Sequence, residues 1–133
     1  MSRSERGAVW VFHRGALGDS VLLWPMLRAL ARIGEVVLVA DRQRAALAAA
    51  ELGVKALDAE GEQATGLWVA GGPVRPVPGV ASVHAWLGRP GRGRRVWCEN
   101  ARRAFPGAQL KVHDARPDSL LARRWAAWRE GDD

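Results

Sequence analysis

The sequence predicts one α/β domain built on a single Rossmann-like, doubly wound, mostly parallel sheet. Three observations lead there. Short apolar runs with no polar face, at residues 9–12 and 35–40, read as strands covered on both sides. Segments of helical periodicity alternate with these runs at the spacing of parallel crossovers. A glycine-bearing turn, Gly15-Ala16-Leu17-Gly18, follows the first run and leads into a helix. Open parallel sheets hold ligands at such a place.

The elements follow in order. Residues 8–12 form the first strand. A helix runs from about Asp19 to Ala31 or Arg32, with Val21, Leu22, Met26, Leu27 and Leu30 on one apolar face. Pro25 lies inside this pattern, so the helix either kinks or starts anew there. Gly34 ends it. Residues 35–40 are the second strand, closed by Asp41. The alanine-rich stretch 43–52 is helical and stops at Gly53. Residues 54–57 read as a weaker strand, 58–65 as a loop or short helix, and 67–70 as a short strand. Pro73, Pro76, Pro78 and Gly79 make an irregular loop. A strand at 80–87 contains His84, a basic turn spans 88–93, and a helix at 94–104 carries Trp97 and Cys98. Residues 109–113 form the last strand. Pro117-Asp118-Ser119 opens a final helix bearing Trp125 and Trp128. The expectation is six short strands with the first one central. Residues 1–116 make the domain and 117–133 a terminal helix.

Composition narrows the classes. The 133 residues suit one domain, and 48% hydrophobic content suits a packed core rather than disorder. The net charge of +6 comes mostly from arginine. It fits nucleic acid, an anionic membrane surface or a phosphorylated substrate, and equally an arginine-rich coding bias. The basic turn lacks the aromatic interleaving of single-strand binders, which argues against nucleic acid. Cys98 is the one cysteine, so no disulfide framework or multi-cysteine zinc site forms within the chain. No H-E-x-x-H spacing exists, and no metal is expected. His84 and His113 lie in or near apolar strands and read as core or edge residues rather than ligands. Without a signal peptide or an apolar run of ~20 residues, the expected location is cytoplasmic.

Candidate site residues gather around the first turn. Gly15 and Gly18 let the backbone bend sharply, and their amides suit a phosphate at a helix start. Asp19 either caps that helix or serves as a general base. His13 and Arg14 end the strand on the crevice side. Asp41 follows the second strand, where dinucleotide-binding folds hold ribose, although Gly15-x-x-Gly18 is not a full G-x-G-x-x-G. Arg42 and Arg44 either line the same crevice or begin a solvated helix.

The run Arg14-Gly15-Ala16-Leu17-Gly18-Asp19, then Val21-Leu22-Leu23, Pro25 and Leu27-Arg28-Ala29-Leu30, resembles the start of the heptosyltransferases of glycosyltransferase family 9. The likeness continues through residues 35–40 and, more weakly, to about Asp58. It implies the acceptor-side half of a two-domain GT-B fold, with Asp19 at the catalytic base position. His13, Arg14, Gly15, Ala16, Leu17, Gly18, Asp41 and Arg42 then form the substrate-binding set. Transfer would invert the anomeric centre and use a nucleotide sugar such as ADP-heptose, with no metal or other cofactor. The acceptor would be a glycan or lipid-linked sugar of the lipopolysaccharide type, reached from the cytoplasm at an anionic membrane face. The donor-binding half would lie on a longer chain or on a partner chain, with Trp125 and Trp128 as candidate contacts. Alternatively, the chain is a non-catalytic module for a nucleotide or phosphorylated ligand.

Overall fold

The computed structural model describes residues 7–13, 23–72, 74–87 and 91–113. Within them, five strands form one all-parallel sheet. These are β1 (Ala8–His13), β2 (Glu35–Ala40), β3 (Lys55–Asp58), β4 (Val80–Trp86) and β5 (Gln109–His113). The spatial order is β3-β2-β1-β4-β5, so the first strand is central. Helices α1 (Trp24–Ile33), α2 (Arg42–Leu52), α3 (Glu62–Thr65) and α4 (Arg92–Ala104) connect them.

The alternation along β1 explains the two layers. Val9 and Val11 enter one core with Met26, Leu27 and Leu30 of α1 and Ala45 and Ala48 of α2. Trp10 and Phe12 point the other way, into a core with Trp97, Ala101 and Ala104 of α4. Side chains that alternate by face, both faces buried, are what a doubly wound sheet requires. The second core is aromatic: Phe12 meets Trp97 edge-on at 5.1 Å and Phe105 at 6.0 Å between ring centroids.

One expectation is corrected. Residues 67–70 are not a strand; Gly66–Trp68 is a 3₁₀ turn. The reason is Asn100 of α4, buried at 2% exposure. Its Nδ2 donates to the carbonyls of Leu67 (2.9 Å) and Val69 (2.8 Å), which holds this segment against α4 and not in the ladder. Of the two alternatives for the first helix, the new start holds: α1 starts at Trp24 with Pro25 in its first turn, where the missing amide costs no helical bond, and residues 19–22 lie outside the described residues. Gly34 ends α1 as expected, in extended backbone (φ −172°), because β2 begins at the next residue.

Candidate functional site

His13 closes β1 in the middle of the sheet. From β1 the chain moves outward to β2 and β3, then crosses back to β4 and β5 on the other side. The topological switch therefore lies between the carboxyl ends of β1 and β4. In register, His13 pairs with Trp86 at the end of β4, and Trp86 pairs with His113 at the end of β5. His84 precedes Trp86 by two residues and so shares its face.

These four rings form one row. His13 and Trp86 meet edge-to-face with centroids 6.0 Å apart. Trp86 and His113 stack at 4.3 Å. His84 Nδ1 lies 3.3 Å from His113 Nε2, with the ring planes 4° apart and centroids at 5.6 Å. The centroid distance is close to the N–N distance plus the two ring radii. The imidazoles therefore lie end to end and share one N–H···N hydrogen bond rather than stacking face to face. One nitrogen donates and the other accepts. Burial, then the neighbouring His113 and Lys111 charges, push His84 down from 6.5 to about 4, so it is neutral near pH 7. Trp86 Nε1 is buried and has no hydrogen-bond partner among the described residues.

Behind His13 is a small cavity lined by Trp24, Leu27, Ala40 and Arg44 among others. It brings the ends of β1 and β2 together with the start of α2. Asp41 accepts at Oδ1 from the amides of Gln43 (3.1 Å) and Arg44 (3.5 Å), and so caps α2. Arg42 is exposed at the first position of that helix. Arg14, Gly15, Ala16, Leu17, Gly18 and Asp19 lie outside the described residues, as do Trp125 and Trp128. Of the expected set, His13 stands at the switch point, and Asp41 and Arg42 stand at the neighbouring strand end.

Reading each histidine alone missed the row. The signal was present as a period of two: His84 and Trp86 on one strand, Lys111 and His113 on the next, all four on one face.

Among the described residues, no group of three or more His, Cys, Asp or Glu is placed to hold a metal ion. No described helix is long and apolar enough to cross a membrane. At the opposite, amino end of the strands, an open groove of about 330 Å³ runs over Trp10, Val37, Leu57 and Val77, with Glu35 and Lys55 also lining it. Those two form an ion pair at 2.7 Å. The groove lies where the β3-to-β4 connection contains short α3 and the 3₁₀ turn instead of a long helix. No protein-family model, curated protein or solved structure gives a significant match to this chain.

Proposed function

We propose that this chain is the acceptor-side domain of a sugar-transferring enzyme of the heptosyltransferase type. One observation carries the reading. The segment Arg14-Gly15-Ala16-Leu17-Gly18-Asp19 follows directly on His13, the last residue of the central strand of a parallel sheet whose order switches beside it. A loop in that position meets ligand in open α/β folds. Asp19 would take the proton of the acceptor hydroxyl as that oxygen attacks the anomeric carbon of a nucleotide sugar. The donor-binding half would come from elsewhere, and the acceptor would be a glycan or lipid-linked sugar met at the cytoplasmic face of a membrane.

A second reading is a non-catalytic module for a nucleotide or phosphorylated ligand. What favours it is basic character at the same strand ends, where His13 and Arg44 line one cavity.

Calorimetry on the whole chain separates the two. Binding of a lipopolysaccharide-core acceptor mimic, without binding of ADP-heptose or NAD, is the outcome for an acceptor domain. Nucleotide binding by the chain alone would favour the second reading. Within a complete transferase, Asp19→Asn keeps the size of the side chain and removes the base. Transfer should collapse while thermal stability barely moves.

A further inference from the structure

We propose that the turn Val69-Ala70-Gly71, together with Arg75 and the outer arginines of α4, forms a docking surface for an anionic lipid membrane. The inference rests on the chemistry of this surface and not on the sugar-transfer reading.

The turn is apolar where surface turns ordinarily draw on Asn, Asp and Ser. From Gly66 to Val74 the chain has no polar side chain at all. Yet Val69, Ala70 and Gly71 are exposed. Val69, at 55%, is the most exposed large hydrophobic residue among those described. The turn is also held still. The Gly72 amide donates to Val69 O at 3.0 Å, and Gly71 takes up left-handed backbone (φ +63°). Asn100 of α4 donates to the carbonyls of Leu67 and Val69, and Arg103 donates to Gly72 O. This clamp holds backbone carbonyls only, so the Val69 side chain stays outside on a fixed turn.

Cations border it. On α4, Arg92, Arg95, Arg102 and Arg103 are exposed, against a single exposed acid, Glu99. Steps of three and four residues put them on one side of the helix, opposite buried Trp97 and Ala101. Arg75, also exposed, lies on the chain that leaves the turn. The Val77 amide donates to Ala104 O at 2.7 Å, which brings that chain to the carboxyl end of α4. Among the described residues, none of Arg75, Arg92, Arg95 and Arg102 is in an ion pair.

An apolar tip bordered by unpaired cations suits an anionic lipid surface. Val69 entering the headgroup boundary leaves the water that the fold exposes it to. The guanidinium groups donate in pairs to lipid phosphates. A protein partner suits the surface less, because stable interfaces are anchored by large side chains seated in pockets. This tip offers only a valine and an alanine. A nucleic acid would use the arginines and leave Val69 without a part, since its affinity comes chiefly from phosphate contacts.

The test mixes the whole chain with vesicles and reads co-sedimentation. One set is phosphatidylcholine alone, and the other is phosphatidylcholine and phosphatidylglycerol in equal parts. The expected result is binding to the anionic vesicles only, weakening as salt rises. Arg75→Gln and Arg102→Gln should each weaken it about fivefold. Val69→Ser, which removes apolar area without changing charge, should also weaken it about fivefold. Arg28→Gln removes an equal charge from the exposed side of α1, in the other helical layer, and should leave binding unchanged. All four side chains are exposed, and melting temperatures check that the variants fold. A wild type that ignores anionic vesicles would overturn the proposal, and so would equal weakening by Arg28→Gln. Binding that Val69→Ser leaves at wild-type strength would overturn the lipid assignment in favour of a general polyanion surface. The acceptor titration in the preceding section uses no vesicle, so either reading can fail without the other.

Discussion

His84 Nδ1 and His113 Nε2 face each other across 3.3 Å and tie the last two strands together by their side chains. The same burial that makes this link rigid makes it sensitive to acid. His84 is pushed down from 6.5 to about 4 in the folded chain, first by burial and then by His113 and Lys111. The unfolded chain therefore binds more protons than the folded one between those values, and stability falls as pH drops through that window. Above 6.5 the group contributes no pH dependence, and below 4 the loss is complete. The gap corresponds to at most about 3 kcal/mol. Urea unfolding at pH 8, 6, 5 and 4 checks this by comparing the wild type with His84→Gln. The variant should lose less stability on acidification. Parallel curves for the two proteins would show that His84 is not the source.

Asn100 is the second buried polar device. It holds the carbonyls of Leu67 and Val69, and its Oδ1 accepts from Arg103, which also donates to Gly72 O at 3.1 Å. Asn100→Leu strands those carbonyls, at about 1–3 kcal/mol for each buried acceptor left without a donor. Arg103→Gln should cost less, because that side chain is exposed. Amide exchange offers a local readout. The Val69 and Gly72 amides, which donate to Gly66 O and Val69 O, should exchange faster in Asn100→Leu than the β1 amides do.

These two devices mark the limit of what the sequence could tell. The apolar runs of β1 and β2 announce a buried parallel sheet because both of their faces are covered. Gly53 announces the end of α2 because it does one local job. The stretch around Leu67 reads as a strand because its apolar pattern is local, whereas the residue that decides its conformation is Asn100, more than thirty positions away. The histidine row is hidden for the same reason. It depends on strand order and register, which bring β5 beside β4. The resemblance points to the first turn, while the described part of the switch point pairs His13 of β1 with Trp86 of β4, and His84 and His113 continue the row outward.

Asp41 separates structural from ligand roles in one experiment. Its carboxylate caps α2 through the Gln43 and Arg44 amides. Asp41→Ala should cost about 1 kcal/mol, and Asp41→Asn much less, since asparagine caps nearly as well. Thermal melts measure both. If the residue also holds ribose, Asp41→Asn should weaken nucleotide binding at unchanged melting temperature. A cap without a ligand role leaves nucleotide binding the same in the wild type and in Asp41→Asn.

Gly7 and Gly53 both sit in left-handed backbone, at φ +83° and +70°, yet their replacement should differ. A Cβ at Gly53 would meet nothing within 4 Å. Gly53→Ala therefore costs the backbone term alone, about 1–2 kcal/mol for an L-residue. A Cβ at Gly7 would lie 2.9 Å from the Ala81 Cβ and 3.3 Å from both the Ala81 amide nitrogen and Gly79 O. That adds a steric cost at the start of the β1–β4 pairing, where the Ala8 amide already donates to Gly79 O at 2.9 Å. Gly7→Ala should be the more destabilising change. Ala81→Gly introduced beside it should recover the contact part and leave the backbone part. Denaturant midpoints for the two single variants and the double variant give the cycle. No recovery in the double variant would place the cost in the backbone conformation and the Gly79 contact instead of the Ala81 methyl group.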